Sequence, residues 1–344
     1  MARKAKEKKA KARGEAVIGI DVGGTKTLLA LFDPGFEVLM EDKFRTHPEK
    51  GGLRAFEKTL SRSIEALLRR ARREKLAVKY VGVGCAGDID LEKGIVRRSP
   101  NLTFLDGYPF REKLQKLTRA RVFVGHDVQA ALYGEYRLGA AKNAQHVIGV
   151  WLGTGVGGAM IIDGRIHLGA TGTAGDIGNY LLSSLDVSIE SPRKYRLDGV
   201  ASRTSIAGEA AALAAKHKAP ALRRNAGTDV TEIRAGDIAR SIRKGDKAVE
   251  RLVRTRANIV GTALSNLIDF INPDVVVLGG GLVEAMPALV RREVRKSISA
   301  HAAPKAARAV KVVAAKLHRH AGTVGAARLA QDMLNGTRPF VAPQ

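Results

Sequence analysis

The segment Ile18–Phe32 constrains the fold of this chain more than any other stretch. Two runs of aliphatic and β-branched residues flank a short loop with one aspartate, two glycines and two threonines, which predicts a strand, a tight turn and a second strand. Glycine lets the backbone approach a ligand closely and aim its N–H groups at an anion, but an ordinary hairpin turn uses the same residue types. The segment therefore indicates either a plain hairpin or a phosphate-binding loop, whose candidate residues are Asp21, Gly23, Gly24, Thr25 and Lys26.

The same pattern returns about 130 positions further along the chain. Val147–Leu152 predicts a strand, Gly153–Gly158 a glycine loop, and Ala159–Ile162 a second strand. Because the pattern occurs twice, we expect an internal duplication of two related α/β domains, each with one phosphate-binding loop. In the second loop the candidate phosphate ligands are Thr154 and Gly155.

A third glycine cluster adds to the evidence for a nucleotide. Gly279, Gly280 and Gly281 follow the apolar run Val275–Leu278, and we expect them to leave a flat space for adenine and ribose. Three glycine loops, each at the end of an apolar strand, are difficult to explain as turns alone. Mg²⁺ prefers oxygen ligands and keeps several waters when it binds phosphates, so we predict an ATP site with Mg²⁺ near Asp21.

Other glycine-loop families do not fit the pattern. Gly153, Gly155 and Gly158 match G-x-G-x-x-G formally, but a dinucleotide-binding loop opens a helix, whereas a strand is predicted here. No His-Arg-Asp or Asp-Phe-Gly triplet of a protein kinase follows. The G-x-x-x-x-G-K-[ST] sequence of P-loop proteins is also absent.

Asp127 is the candidate general base. It follows the predicted strand Val122–Val124 and precedes the predicted helix Val128–Leu138, so its carboxylate either caps that helix or points toward a substrate. In the second case it could accept a hydroxyl proton while a phosphoryl group transfers in line. Asn101 and Asp106 lie in a loop that either binds a polyol or forms turns.

The order of predicted elements indicates an α/β protein with two domains. We expect a disordered basic tail over residues 1–15, a smaller N-terminal domain over 16–128 and a larger C-terminal domain over 129–319. A closing helix at about 320–335 is expected to pack on the N-terminal domain. After the third glycine cluster we expect one helix that runs to about residue 300.

Charge and composition limit the partners. The net charge is +24, and residues 1–13 carry +6 of it. A basic tail can contact nucleic acid non-specifically, but an aromatic content of 5% does not favour stacking platforms for single strands. The single cysteine, Cys85, excludes an internal disulfide and a multi-cysteine metal site. With no apolar run of bilayer length and no signal peptide, we expect a cytoplasmic protein that does not enter a membrane.

At these residues the chain resembles the ROK family (repressors, open reading frames and sugar kinases), which has the actin-like ATPase fold. The resemblance implies a duplicated pair of ribonuclease H-like α/β domains that flank an active-site cleft, ATP-dependent phosphoryl transfer to a hydroxyl of a hexose or hexose derivative, and a homodimer. It also implies that Asp127 is the base and that Asn101 binds sugar hydroxyls. Its motifs are Asp21–Lys26, Gly84–Asp90, Pro100–Leu102, His126–Ala131, Gly134–Glu135, Gly153–Gly158, Ala174–Asn179, Asn272–Asp274 and Gly279–Gly281.

The chain departs from the family pattern around the sugar. The family has the sequence Gly-Glu-Ile-Gly-His, and in this chain Asp176 replaces the glutamate and Asn179 replaces the histidine. The side chain of aspartate reaches about 1.5 Å less than that of glutamate. The family's cysteine cluster is missing, so we expect no structural zinc. Asp198 resembles the glutamate of a downstream sugar-binding segment. We expect these three residues to position a sugar, either with a shifted preference or with glucose retained because the changes compensate one another.

Two other functions stay open. A ROK-type protein with weak or no catalysis would serve as a sugar-sensing regulator, although the winged helix of ROK repressors needs more residues than the 16 before the first predicted strand. Polyphosphate could replace ATP as the phosphoryl donor, which the positive charge encourages but no motif indicates.

Overall fold

The computed structural model describes residues 14–47, 51–182 and 195–341, and the basic segment 1–13 lies outside this part. The contacts within the chain divide it into two compact units. Unit 1 comprises Met1–Ala130 and Gly322–Thr337, and unit 2 comprises Ala131–Ala321 and Arg338–Gln344.

Unit 1 is built on a mixed β-sheet. Its strands are β1 (Gly14–Val22), β2 (Lys26–Phe32), β3 (Val38–Arg45), β4 (Leu76–Cys85), β5 (Asp88–Asp90), β6 (Ile95–Arg98) and β7 (Arg121–His126). Five of them form a sheet in the order β3-β2-β1-β4-β7, and β5 pairs with β6. The β1–β2 and β2–β3 pairs are antiparallel, whereas β1, β4 and β7 run parallel with Val22, Cys85 and His126 in register at one end.

The start of β1 corrects one prediction. Gly14 and Glu15, which the sequence assigns to a disordered tail, belong to this strand and pair with Leu76 and Ala77 of β4. Backbone hydrogen bonds to a neighbouring strand do not depend on the side-chain pattern from which strands are predicted. The strand therefore begins before its apolar run.

Helices cover the sheet of unit 1. The apolar stripe of the first helix packs on the core through Phe56, Leu60, Ile64 and Leu67, as its helical spacing predicts. The helices that begin in this part of the chain are α1 (Gly52–Arg73), α2 (Phe110–Thr118) and α3 (Asp127–Leu138), with a short 3₁₀ turn at Thr103–Leu105.

Unit 2 has a second mixed sheet. Its strands are β8 (Val147–Leu152), β9 (Val156–Ile162), β10 (Arg165–His167), β11 (Val275–Gly279), β12 (Lys311–Ala314) and β13 (Phe340–Val341). They lie in the order β12-β11-β8-β9-β10-β13. Strands β8, β9 and β10 are successively antiparallel, and β8, β11 and β12 are parallel. The order and directions of five strands thus repeat those of unit 1, which confirms the predicted duplication.

The helices of unit 2 correct a second prediction. They are α4 (Leu197–Ala201), α5 (Arg203–Ala215), α6 (Pro220–Ala226), α7 (Ala235–Arg243), α8 (Lys247–Ile271), α9 (Gly281–Ala285), α10 (Pro287–His301) and α11 (Pro304–Ala309), with 3₁₀ turns at Ile177–Asn179 and His318–His320. The single helix expected after Gly281 is two helices. Met286 has φ −143° and ψ 52°, because the ring of Pro287 disfavours a helical conformation for the residue before it.

Each unit buries its own hydrophobic core. The core of unit 1 is formed by β-branched and aliphatic side chains of the sheet together with aromatic rings around Phe56. The core of unit 2 is larger and is dominated by the long helix α8 and its neighbours. Within residues 14–47, 51–182 and 195–341, no helix combines the length and the apolar character that crossing a lipid bilayer requires.

The last helix, α12 (Ala321–Leu334), belongs mostly to unit 1 and lies against the sheet at two glycines. A Cβ atom at Gly19 would collide with the carbonyl oxygen of Thr323, and a Cβ atom at Gly82 would collide with that of Ala326. Helix and strands therefore meet backbone to backbone, and only glycine permits this approach.

We predict that Gly82→Ala destabilises the protein by about 1–3 kcal/mol or more, because the added methyl group displaces a helix backbone from a packed core. Gly208→Ala is the matched control, since Gly208 lies within α5 with no atom near its missing Cβ. That change should stabilise by about 0.4–1 kcal/mol. Thermal unfolding of both variants tests the pair, and an unaltered melting temperature for Gly82→Ala would contradict the close packing.

Candidate functional site

The first glycine loop connects β1 to β2 in a tight hairpin. Gly23 N–H donates to the carbonyl oxygen of Lys26 at 3.1 Å. Thr46, directly after β3, contacts this loop twice: its hydroxyl donates to the Gly23 carbonyl at 2.7 Å, and its N–H donates to the Thr25 carbonyl at 3.1 Å. Sequence reasoning missed Thr46, since only the pairing of β3 with β2 brings it to the loop.

Asp21 occupies an unusual electrostatic position. Its partly buried side chain lies against the start of α12, where a Cβ atom at Gly322 would come within 2.5 Å of Asp21 Oδ2. Burial and then the negative charge of Asp127 raise the pKa of Asp21 from 3.8 to about 7, and Lys26 partly opposes this shift. Loss of hydration disfavours the ionised form of a buried carboxyl group.

These surroundings fit a magnesium ion that arrives with phosphates. Mg²⁺ binds through one or two carboxylates together with substrate phosphates and waters, and a divalent cation would favour the ionised form that burial disfavours. Asp21 is the carboxylate that would hold it. Within the described ranges, no group of three His, Cys, Asp or Glu side chains converges as a metal site.

Asp127 starts α3 immediately after β7. Its Oδ1 atom accepts the N–H of Val128 at 2.8 Å and lies 3.3 Å from His126 Nδ1. The side chain keeps 23% of its surface exposed, and both of these contacts are made by Oδ1. Asp127 thus contacts the N–H of the next residue with one oxygen, which is not the bond from N2 or N3 that a helix cap makes, and has the other oxygen for a further ligand.

The loop with Asn101 lies beside the first glycine loop. A Cβ atom at Gly24 would be 3.6 Å from the Cβ atom of Asn101, whose side chain is exposed. His47 Nε2 hydrogen-bonds the Asn101 carbonyl at 2.8 Å. Asp106 accepts the N–H of Ser99 at 2.7 Å, so its carboxylate fixes the turn, which was the structural alternative for this residue.

Asp198 holds the second glycine loop in unit 2. Its Oδ1 atom accepts the N–H of Val156 at 2.6 Å, and a Cβ atom at Gly155 would come within 2.7 Å of that oxygen. Thr204 Oγ1 donates to the Thr154 carbonyl at 2.8 Å. The sequence predicts a sugar contact for Asp198, whereas its observed partner is the backbone of the loop.

The two departures from the family pattern contact each other. Asn179 Nδ2 donates to Asp176 Oδ2 at 2.5 Å, and Arg196 Nη1 donates to Asn179 Oδ1 at 2.6 Å. Both amide positions of Asn179 are therefore engaged, which fixes the orientation of its side chain. Arg196 is a functional candidate that sequence reasoning missed, because it lies 17 positions from Asn179 and only the fold brings the two side chains together.

The third glycine cluster is explained in large part by packing. A Cβ atom at Gly279 would lie 2.6 Å from the ring of Trp151. Gly280 has φ +87°, and its Cβ atom would lie 2.6 Å from the carbonyl oxygen of Leu152. Gly281, which starts α9, has only the Ala235 methyl group within 4 Å of such an atom, at 3.9 Å. The space expected for adenine and ribose is therefore filled at two of the three glycines by unit 2 itself.

The chain matches the model of the ROK family over residues 17–333. This is most of its 344 residues, and the chain belongs to that family. The match begins at the apolar part of β1 and extends to the last turn of α12.

Two relatives illustrate the activities found in the family. A glucokinase of Thermotoga maritima is 28% identical over 320 residues, which is 93% of this chain and 98% of the relative. An N-acetylgalactosamine kinase of Shewanella sp. strain ANA-3 is 27% identical over 77% of this chain and 82% of the relative.

The fold is that of the ROK kinases, the actin-like ATPase fold. A ROK family glucokinase from Streptomyces griseus, in complex with glucose and AMPPNP, superposes with a TM-score of 0.77 at 27% identity, over 92% of this chain and 99% of that structure. A ROK family transcriptional regulator, homologous to the Escherichia coli MLC protein, has the same fold with a TM-score of 0.76 at 20% identity, over 94% and 80%.

We predict that the stability of the wild-type protein relative to Asp21→Asn falls as the pH rises from 3.8 to about 7. The pKa of Asp21 is raised in the folded state, so the folded state binds more protons than the unfolded state in this interval and loses stability as they dissociate. Urea unfolding across this pH range measures the difference. The exposed residue Asp88 provides the control Asp88→Asn, and an equal pH dependence for both variants would contradict the burial of Asp21.

Proposed function

We propose that this chain is an ATP-dependent sugar kinase, which transfers the γ-phosphoryl group of ATP to a hydroxyl of a hexose or hexose derivative. The observation that carries the proposal is the position of Asp127. It follows a strand whose end is in register with those of β4 and β1, so that it lies at the same edge of the sheet as Asp21, whose pKa its charge raises. The likeness to a glucokinase and to an N-acetylgalactosamine kinase supports this class of reaction.

In this proposal the two glycine loops bind the phosphates of ATP. Backbone N–H groups of Gly23 and Gly24, with Thr25 and Lys26, bind one part of the triphosphate, and Thr154 with Gly155 binds another. Asp21 holds Mg²⁺, which neutralises charge on the phosphates when it is bound. Gly281 and its neighbours Gly279 and Gly280 accommodate the nucleoside, the first by open space and the others by shaping the backbone.

Asp127 acts as the general base. Its Oδ2 accepts the proton of the attacking hydroxyl while the oxygen of that hydroxyl forms a bond to the γ-phosphorus and the bond to the β-phosphate oxygen breaks. The hydrogen bond from Val128 to Oδ1 holds the carboxylate in place. His126, 3.3 Å from the same oxygen, limits its rotation further.

The sugar is bound by exposed polar groups. Asn101 donates and accepts hydrogen bonds next to the first loop, and Asp176 accepts bonds from sugar hydroxyls while Asn179 orients it. Asp198 is the last polar residue of this group, although the hydrogen bond that it accepts from Val156 belongs to the second glycine loop. We also propose, from the family resemblance, that the protein forms a homodimer.

Release of ADP with Mg·ATP, measured across hexoses, N-acetylhexosamines and a control without sugar, tests the function. Sugar-dependent turnover is the expected result and identifies the substrate class. A parallel series with polyphosphate in place of ATP tests the donor. ATP binding without turnover on any sugar would favour the regulatory alternative. The likeness to a transcriptional regulator supports the shared fold and not a regulatory role.

We predict that Asp127→Asn lowers kcat by about 10²–10⁴-fold while nucleotide affinity is retained, because an amide keeps the shape of the side chain but cannot accept the proton. Steady-state kinetics and nucleotide titration measure the two effects. Asp88→Asn, an exposed carboxylate on β5, is the control and should keep its activity. Turnover of Asp127→Asn at the wild-type rate would exclude Asp127 as the base.

We predict that Asp198→Asn raises the KM for ATP more than the KM for the sugar, since the carboxylate accepts the N–H of Val156 and supports the loop that binds phosphate. The amide of asparagine keeps an acceptor oxygen but loses the charge, and a hydrogen bond to a charged group contributes about 1.5–3 kcal/mol against about 0.5–1.5 kcal/mol for a neutral one. Asp176→Asn is the matched comparison and should raise the sugar KM instead. A larger effect of Asp198→Asn on the sugar KM would assign it to the sugar, as the sequence predicts.

A further inference from the structure

A cavity of about 390 Å³ lies in unit 1 between α1 and α2, and the proposed reaction does not use it. Its volume is within the range of small-molecule sites. Its apolar part is formed by leucines and the ring of Tyr108. The lining residues are Arg54, Glu57, Lys58, Leu60, Ser61, Tyr108, Lys113, Leu114 and Leu117.

The charges of this cavity favour an anion. Arg54 and Lys58 are exposed and lie four residues apart on one face of α1. Like charges in this spacing repel each other, so a bound anion would relieve the repulsion. The third cation, Lys113, forms an ion pair with Glu57 at 2.9 Å. The side chains that line the cavity therefore carry three positive charges and one negative charge, and the negative one is already paired.

The polar floor of the cavity is prearranged. Tyr108 is buried beside the carboxylate of Glu57. Burial and this carboxylate raise the pKa of Tyr108 well above its ordinary value, so it remains a donor. Glu57, held by its ion pair with Lys113, can accept hydrogen bonds from ligand hydroxyls.

Aromatic side chains connect the cavity to the loop of Asn101. Phe56, adjacent to Glu57, packs edge-on against Tyr108 at 6.4 Å and against Phe104 at 5.6 Å between ring centroids. Phe104 packs against His47 at 5.3 Å. His47 in turn hydrogen-bonds the Asn101 carbonyl. A ligand that shifts α1 or Tyr108 would therefore act on the loop that is proposed to bind the sugar, because packed side chains transmit displacement.

We propose that this cavity is an effector site for a small phosphomonoester, in which Arg54 and Lys58 bind the phosphate and the ring of the ligand packs on Tyr108. Arginine and lysine are the usual partners of phosphate. The phosphomonoester belongs either to a hexose, as does the product of the proposed reaction, or to a nucleoside. The effector role rests on the proposed function only because that function assigns sugar binding to Asn101. Binding of the phosphomonoester to the cavity requires no catalysis.

Calorimetric titration of the full chain with glucose 6-phosphate, AMP and inorganic phosphate tests the binding. We expect one of the first two to bind, which identifies the source of the phosphomonoester, and we expect Arg54→Gln/Lys58→Gln to weaken it by about tenfold or more. Arg62→Gln/Arg69→Gln removes the same charge from α1 outside the cavity and should bind like the wild type. Ser61→Trp fills the cavity without a change of charge and should also abolish binding.

Three results would overturn the proposal: no binding of either phosphomonoester to the wild type, equal loss in the two double variants, or binding that survives both cavity variants and disappears in Asn101→Ala. The connection to Asn101 is tested separately by hydrogen exchange. The bound probe should change the exchange of residues 99–106 in the wild type and not in Arg54→Gln/Lys58→Gln, and unchanged exchange would exclude an effector role. Neither measurement depends on turnover, so a failure of the effector-site proposal can be distinguished from a failure of the kinase proposal.

Discussion

The parallel register of β1, β4 and β7 is the constraint on which the candidate chemistry of unit 1 depends. Asp21 lies opposite Gly84, which lies opposite Gly125, so Asp127 follows at the same edge of the sheet. Helix α12 lies close against β1 and β4, and this approach requires the glycines at positions 19 and 82. The strand register thus brings Asp127 near enough to Asp21 for its charge to raise the pKa of Asp21.

Burial, and then the negative charge of Asp127, raises the pKa of Asp21, so ionisation of this carboxyl group has an electrostatic cost. The cost persists because it belongs to the site that binds Mg·ATP in the proposed reaction, where a divalent cation reverses it. Perturbed carboxyl groups of this kind are concentrated at functional sites. In unit 2 the polar groups are stabilised differently, by hydrogen bonds of Asp198 and Asn179 to the protein itself.

The segment expected to bind the sugar differs from the family pattern at two residues, and the family resemblance and the hydrogen bonds give different information about them. Family comparison identifies Asp176 and Asn179 as replacements, and the contacts add Arg196, which engages Asn179. An arginine brings a fixed positive charge and a planar set of donors. Whether this arrangement shifts the sugar preference is decided by the substrate panel, but the three residues form one hydrogen-bonded group and should be changed together in any attempt to restore the family pattern.

The sequence by itself determined the fold class, the duplication and the glycine loops, because strand periodicity and glycine spacing are local properties of the chain. It did not determine that β1 begins at Gly14, that Thr46 supports the first loop, or that Asp198 binds the second. Those depend on pairings between residues far apart in the chain, such as Asp198 with Val156, which are 42 positions apart. The break at Pro287 was readable locally and was missed. The cavity at Tyr108 arises only when α1 and α2 pack together, since no local pattern encodes the space left between two helices.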